Sequence, residues 1–224
     1  MSSVYMTEVE QIELIKKWWK RYQQVIVTGL SVLLLLLSGA RYWQWHQQKR
    51  AEDASNAYEH LMVAFSSQNS ESIQSYVHQL LNQYSGTVYA DTARLIQAKL
   101  ALSAGDYAEA KLSLQEVASH SKFDILAEVA HLRIARILIY EKSYDAALQE
   151  LARVKNTNYL SLCAELRGDI YYAQSKFSEA QREYQSAKAE IERSGINNLF
   201  LEMKQQNVIV ALHTKSPVHT AALS

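Results

Sequence analysis

A short pattern, an aromatic residue followed three positions later by an alanine, recurs three times in the chain. The segments are GDYAEA, KSYDAA and SKFSEA, whose alanines are Ala110, Ala147 and Ala180. Successive alanines lie 37 and 33 residues apart, a spacing typical of arrays of paired helices. A small residue lies twelve positions before each alanine, namely Ala98, Ala135 and Gly168. Small side chains at both points allow antiparallel helices to approach closely, so the pattern predicts three stacked helix pairs.

The period of 34 residues characteristic of tetratricopeptide repeats lies between these two spacings. The three predicted units occupy residues 91–124, 128–161 and 161–194. The longer first step predicts about three extra residues near 119–124. Residues 53–65 and 71–84 read as a further helix pair that lacks the signature, either a divergent repeat or an N-terminal cap. Residues 197–212 are predicted to form a C-terminal helix that covers the end of the array, as solenoids require.

The composition agrees with a helical fold. The chain has 224 residues with only six Gly and one Pro, Pro217, whereas all-β folds need many such turn residues. The predicted fold class is therefore all-α. It consists of one transmembrane helix followed by a tetratricopeptide-like α-solenoid of three to four helix pairs and a capping helix.

The transmembrane helix is predicted from an uncharged apolar run at residues 25–40. About 20 residues of helix cross a bilayer core, and the run can be extended from Tyr22 to Trp45, with aromatic residues suited to both membrane interfaces. The predicted transmembrane helix is residues 24–45. Residues 38–40 are small and also fit a signal-peptide cleavage site, so a cleaved signal is an alternative. A buried helix of a soluble protein is a further alternative, disfavoured because such helices usually carry a polar stripe.

Lysine and arginine set the predicted orientation. Four basic residues precede the run and three follow it, which favours a cytoplasmic N-terminus. The expected organisation is a cytoplasmic segment at 1–23, the membrane helix at 24–45 and a periplasmic tetratricopeptide-like domain at 46–224. Apolar residues spaced helically in the leader, Val9, Ile12 and Ile15, fit either an amphipathic helix on the membrane or an extension of the transmembrane helix.

Sequence motifs of catalysis are lacking. There is no phosphate-binding glycine loop, no GxSxG and no HExxH, and no two histidines have metal-ligand spacing. The lone Cys163 is typical of a small buried side chain. With 23 basic and 23 acidic residues the chain has no basic field for nucleic acid. We therefore expect no enzymatic activity and no cofactor.

A protein-binding surface is the better-supported expectation. In stacked helix pairs, the first helix of each pair lines the concave side, which here is apolar with scattered charge. Packing between units is the alternative role for these apolar residues. Two basic residues in the set do not reproduce the dense Lys/Asn clamp of some tetratricopeptide domains. The predicted groove residues are Leu95, Lys99, Leu102, Leu132, Arg136, Ile139, Tyr140, Leu162, Glu165, Asp169 and Tyr172.

The order of these features resembles the YfgM-like family, the ancillary subunits of the SecYEG translocon. The resemblance covers almost the whole chain, from the leader EQIELIKKWWKRY through GARYWQWHQQ to LRIARILIYEKSYDAAL and LRGDIYYAQSKFSEAQREY. RYW after the apolar run and LRGD at the start of the last unit are its most specific parts. The Pro that often closes a tetratricopeptide unit is missing from all three units.

The resemblance implies a single-pass protein of the bacterial inner membrane that associates with SecYEG and with a membrane-anchored periplasmic chaperone of the PpiD kind. It implies a non-enzymatic adaptor that helps to hand emerging periplasmic or outer-membrane proteins, including nascent secreted chains, to chaperones. The family carries no catalytic residues to transfer to this chain. A scaffold in an envelope-assembly, stress-signalling or cell-division complex is the alternative function.

Overall fold

A computed structural model describes residues 8–194 and 198–215, and every regular element in these residues is a helix. The predicted all-α class is therefore confirmed. A short 3₁₀ helix spans Thr157–Tyr159. The α-helices are α1 (Glu8–Ser66), α2 (Ser70–Gln83), α3 (Val88–Ser103), α4 (Tyr107–His120), α5 (Asp124–Tyr140), α6 (Tyr144–Ala152), α7 (Leu160–Ala173), α8 (Phe177–Ser194) and α9 (Leu199–Lys215).

The chain divides into two compact units, Met1–Asp53 and Ala54–Ser224. The described part of the first unit consists of α1 alone, and the apolar side chains along it are exposed. Val25, Leu35 and Leu36 are among them, each more than 60% exposed. In the part of the chain that the structure describes, no single helix is long and apolar enough to cross a membrane. By length and composition, Lys16–Val25 and Val27–Ser66 would meet that requirement together, with a bend of 40° between them.

Side-chain hydroxyls lie at this bend. Thr28 donates from Oγ1 to the carbonyl oxygen of Gln24 at 2.7 Å, and Ser31 donates to that of Val27 at 2.8 Å. Hydroxyl groups that bond to a carbonyl four residues earlier often bend helices, because they compete with the backbone hydrogen bond. The Thr28 bond to Gln24 spans the residues at which the direction of α1 changes.

The second unit contains the predicted helix pairs. Each signature aromatic, Tyr107, Tyr144 and Phe177, is the first residue of the second helix of its pair. All three signature alanines are fully buried. The small residues upstream of them, Ala98, Ala135 and Gly168, are buried as well. A Cβ on Gly168 would overlap the ring of Tyr184 on α8. Close approach within each pair, predicted from the small residues, is confirmed.

The turn inside each pair has the same backbone geometry. One residue adopts a positive φ, and the next N–H donates to a carbonyl five residues earlier, the Schellman arrangement of a helix C-terminus. These bonds join Asn69 to Ala64, Asp106 to Ala101, Ser143 to Leu138 and Lys176 to Tyr171, at 2.8 to 3.0 Å. The end of α1 and α2 thus share the turn of the three signature pairs, which favours a divergent repeat over a simple cap.

Successive helices share separate apolar clusters. One joins the end of α1 to α2 and α3, around Leu61 and Leu80. Others lie between α3, α4 and α5 and between α5, α6 and α7. The last joins α7 and α8 to α9, whose Leu201 and Val208 are buried. Helix α9 therefore packs against the last pair, as predicted for the C-terminal helix.

The extra residues predicted between the first and second units form the connection at 121–123. Ser121 donates from Oγ to Asp91 Oδ2 at 2.7 Å, and its Oγ accepts from the Phe123 N–H at 3.1 Å. Asp91 is buried in the first turn of α3. A buried carboxylate needs such a partner, so the longer connection also satisfies a polar group at the start of the array.

Candidate functional site

An open groove lies between α3, α4 and α5, with a volume of about 360 Å³. Its floor is apolar and consists of Ala98, Leu102, Leu114 and Ile137. Ala98, Leu114 and Ile137 also belong to the cluster that holds these three helices together. Because the floor is part of the packed core, the groove is a fixed surface rather than a gap between loops. Its size falls in the range of pockets that take one large side chain or a small ligand.

Two stacked tyrosines form one wall of the groove. The rings of Tyr107 and Tyr140 have centroids 4.9 Å apart and planes 19° apart. Tyr107 begins α4 and Tyr140 ends α5, so the pair joins the two helices where they meet. A hydrogen bond with Tyr140, together with partial burial, raises the pKa of the Tyr107 phenol. Tyr140 is 68% exposed and presents aromatic surface to a partner.

Three cationic side chains line the same groove. They are Lys99 on α3 and Arg133 and Arg136 on α5. Arg133 is half-buried and donates from Nη1 to the carbonyl oxygen of Leu95 at 3.4 Å. Burial lowers the pKa of Arg133, and the nearby charge of Arg136 lowers it further. The Lys99 ammonium lies 4.9 Å from the centroid of the Phe65 ring.

None of these three cations forms an ion pair with a carboxylate of the described residues. Glu141 follows Tyr140 directly, but it is held by Lys111 on α4 at 2.8 Å. Arg167 of α7, which is partly exposed like Arg133, is by contrast paired with Glu183 at 2.9 Å. The groove therefore carries positive charge that the described residues leave uncompensated.

The structure brings four of the predicted groove residues together in this site: Lys99, Leu102, Arg136 and Tyr140. Leu95 and Leu132 are buried in separate apolar clusters. Ile139 and Leu162 are partly buried against the second of these clusters. Tyr172 is 40% exposed and packs against Phe177, with ring centroids 5.5 Å apart. Apart from Tyr172 and the two acidic residues, the predicted residues therefore divide between this groove and the interior of the array.

The two predicted acidic residues lie under α9. Lys204 of α9 donates to Glu165 Oε1 and to Asp169 Oδ2, each at 2.7 Å. Asp169 also accepts from the hydroxyl of Tyr184 at 2.7 Å, and burial followed by this bond raises the pKa of Tyr184. Burial opposes the charge of Lys204, but its hydrogen bonds to Asp169 and Glu165 outweigh that effect and raise its pKa. The C-terminal helix thus occupies the face that these carboxylates would present.

Five residues of the groove lie outside the predicted set: Ala98, Leu114 and Ile137 of the floor, together with Tyr107 and Arg133. In the sequence, Tyr107 is only the aromatic residue of the repeated pattern, and its stacking on Tyr140 brings it to the groove wall. Arg133 precedes Arg136 by three residues, so helical spacing places both on one side of α5. That spacing was the available signal.

Within residues 8–194 and 198–215, no group of three or more His, Cys, Asp or Glu side chains is arranged to hold a metal ion. Cys163 is buried in the cluster between α5 and α7, and burial raises the pKa of its thiol. The groove combines an apolar floor with cationic side chains, so it suits a ligand in which an apolar side chain lies next to a negative charge.

Comparison with known proteins matches residues 16–210 to the model of a family described as a tetratricopeptide repeat-like domain. A relative from Haemophilus influenzae is 27% identical over 199 residues, which cover 86% of this chain and 97% of the relative. A relative from Escherichia coli K12 is 26% identical over 204 residues, 88% of this chain and 98% of its own length.

A third, from Neisseria gonorrhoeae, is 24% identical over 203 residues, which cover 90% of this chain and 97% of the relative. All three relatives are named ancillary SecYEG translocon subunit. No solved structure matches the chain.

Proposed function

The chain belongs to the tetratricopeptide repeat-like family, and we propose that it is a non-enzymatic adaptor that works beside the SecYEG translocon. The names of relatives that align along almost their whole length support association with SecYEG. The finer proposal is that the array binds a PpiD-like chaperone or an emerging protein. By doing so it would assist the transfer of emerging proteins to the chaperone. The single observation that carries it is the open apolar and cationic groove between α3, α4 and α5.

We also propose that residues 24–45 anchor the protein in the bacterial inner membrane, with residues 1–23 in the cytoplasm and residues 46–224 in the periplasm. Exposed apolar side chains on α1 support this, because an apolar surface of that length is unfavourable in water. The excess of basic residues on the N-terminal side supports the orientation. Tethering would raise the concentration of the groove near the channel without new contacts.

Site-specific photocrosslinking in intact membranes tests the adaptor role. A crosslinking residue replaces Tyr140 in the full chain, with Leu112 as the control position. Leu112 is similarly exposed on α4 but does not line the groove. We expect SecYEG subunits, a periplasmic chaperone or secreted proteins to be captured from position 140 more than from position 112. Capture of cytosolic proteins alone from position 140 would contradict the proposal.

Protease accessibility tests the orientation independently. A C-terminal epitope on the full chain is expected to be digested in spheroplasts, whereas an N-terminal epitope is expected to survive until the membrane is broken. Digestion in the reverse order would contradict the topology. Release of the array without its N-terminus into the periplasm would instead support the cleaved-signal alternative.

A scaffold in an envelope-assembly, stress-signalling or cell-division complex is the second candidate function. The outer face of α9 favours it, because Phe200, Met203 and Val210 are large apolar side chains that are more than half exposed. Capping helices of solenoids normally present a polar outer face. Copurification in mild detergent separates the candidates, since translocon subunits support the adaptor and assembly or division proteins support the scaffold.

A further inference from the structure

We propose that the groove between α3, α4 and α5 binds an acidic segment of a partner protein, anchored by an aromatic or long aliphatic side chain. This inference rests on the proposed adaptor function and names the chemistry of the partner that the groove would take. Shape, aromatic surface and charge of the groove each contribute to it.

The shape favours one large apolar anchor. The floor of the groove is formed by Ala98, Leu102, Leu114 and Ile137, and its volume is about 360 Å³. A side chain such as Phe or Leu would find apolar contact on the floor and on the exposed ring of Tyr140. Stacking on Tyr107 holds the Tyr140 ring in place, so little side-chain entropy remains to be lost on binding.

The charge favours acidic neighbours of that anchor. Lys99 lies on one side of the floor, on α3, and Arg133 and Arg136 lie on the other, on α5. None of them has a carboxylate partner in the part of the chain described by the structure. Arginine recognises carboxylates through two parallel donors, and a partly buried pair is screened less than one in open water.

The number of cations favours acidic side chains within a segment over the single carboxylate of a chain end. One carboxylate neutralises one charge, whereas three cations border the groove on two helices. A segment with several Asp or Glu residues around its anchor would compensate all of them. A basic segment would be rejected, because like charges brought together at an interface cost free energy and slow association.

Fluorescence anisotropy with the full chain in detergent or nanodiscs tests the proposal. The probe is a labelled peptide with a central Phe-Leu pair flanked by Glu residues. The comparison peptides replace the Glu residues by Lys, or the Phe-Leu pair by Ser-Ser. We expect saturable binding of the acidic anchored probe only, weakened by added salt. Equal binding of the Lys peptide would overturn the charge assignment, and equal binding of the Ser-Ser peptide would overturn the anchor.

Two charge-reversal variants test whether the probe binds in the groove. Arg136→Glu is expected to weaken the acidic probe about tenfold or more, because it removes one attraction and adds a repulsion. Lys122→Glu is the matched control, since Lys122 is exposed in the connection between α4 and α5 and does not line the groove. The control is expected to bind within about twofold of the unchanged protein. Equal loss in both variants, or none in Arg136→Glu, would overturn the site.

Two further measurements test whether the negative charge could come instead from the end of a chain or from an anionic lipid. Amidation of the C-terminus of the probe is expected to leave binding unchanged, so a loss would assign the groove to a chain end. A short-chain phosphatidylglycerol below its micelle concentration is expected not to compete, and competition sensitive to Arg136→Glu would assign the groove to anionic lipid. Either result would overturn the proposed segment.

The inference and the adaptor function fail in different experiments. If Arg136→Glu abolishes probe binding but SecYEG never copurifies with the protein, the groove assignment stands and the adaptor function fails. If SecYEG copurifies while the acidic probe does not bind, the adaptor function stands and the groove assignment is overturned.

Discussion

The turns inside the helix pairs place residues other than glycine in the left-handed region. Lys142 has φ 61° and Ser175 has φ 59°, while the equivalent position of the first signature pair is Gly105 with φ 79°. A side chain costs about 1 kcal/mol or more in this conformation, and glycine avoids that cost. We therefore expect Lys142→Gly to raise the free energy of unfolding by about 1 kcal/mol, measured by urea denaturation.

The matched control for this turn is Lys122→Gly. Lys122 is an exposed lysine in a connection between helices, and its φ is not positive. Glycine there is expected to leave stability unchanged or to lower it, because it only adds freedom to the unfolded chain. Equal stabilisation by both substitutions would contradict the assignment of strain to Lys142.

Gly168 lies where α7 and α8 pack too closely for a larger side chain. A Cβ there would overlap the Tyr184 ring, so Gly168→Ala is expected to lower the free energy of unfolding by about 1 to 3 kcal/mol. Gly39→Ala is the control, because a Cβ on Gly39 meets nothing within 4 Å. Thermal unfolding followed by circular dichroism compares them. A stabilised Gly168→Ala protein, as helix propensity alone predicts, would show that α7 and α8 have room to separate.

At the scale of the element, Lys204 joins α9 to α7 through hydrogen bonds to two carboxylates. Lys204 is 31% exposed and lies between Glu165 and Asp169. Lys204→Met keeps the aliphatic stem but leaves both carboxylates without their cation. We expect it to lower stability by about 1 to 2 kcal/mol, the lower part of the range for charged hydrogen bonds because solvent screens the pair.

Hydrogen exchange locates the effect of that substitution. Faster exchange is expected in α9 and at the adjoining surface of α7, with α3 and α4 unchanged. Lys188→Met is the control, because the contact of Lys188 on α8 with Glu192 is long, at 3.9 Å. An equal effect of the two substitutions would show that the Lys204 contacts do not hold α9.

The same contacts predict a loss of stability in alkaline solution. The pKa of Lys204 is raised above its ordinary value of 10.5, and that of Tyr184 above 10.0. Both groups therefore hold their protons more strongly in the folded chain than in the unfolded chain. Their contribution is complete below pH 10.0 and declines as the pH rises through the higher folded values.

Denaturation of the unchanged protein and of Lys204→Met as a function of pH checks this prediction. The difference in their free energies of unfolding is expected to be constant from neutral pH to about pH 10 and to shrink above it. A difference that persists unchanged at higher pH would show that the Lys204 side chain contributes through packing of its stem, not through its charge.

The elements of the array were predictable where a local signature specifies them. The aromatic and alanine positions predicted three helix pairs because they act within one pair, at fixed distances along the chain. The segment SSQNS, residues 66–70, lacks this signature. Its turn at Gln68 has the same backbone geometry as the other turns. That geometry was not predictable, because it depends on backbone hydrogen bonds that several types of residue can form.

At the scale of the whole molecule, the groove was only partly predictable. Alignment of the repeats placed Lys99, Arg136 and Tyr140 on the concave side, and the structure gathers them around one floor. The same alignment could not show that α9 pairs with Glu165 and Asp169, because that contact depends on how far the last helix folds back. Contacts between distant parts of the chain therefore account for what sequence reasoning missed.

The separate apolar clusters also predict how the array unfolds. When each helix pair is buried mainly against its neighbours, stability is a sum of local and nearest-neighbour terms. Leu61 lies fully buried in the first cluster and Leu114 in the second. Each Leu→Ala substitution is expected to cost about 2 to 5 kcal/mol by leaving a cavity.

The two substitutions are nevertheless expected to differ in hydrogen exchange. Leu61→Ala lies at one end of the array, so faster exchange should be confined to residues 54–66, α2 and the adjoining part of α3. Leu114→Ala lies between two other clusters, so its effect should spread to α3, α5 and the pairs beyond them. Uniform acceleration across Ala54–Ser194 by Leu61→Ala would show instead that the array unfolds as a single cooperative unit.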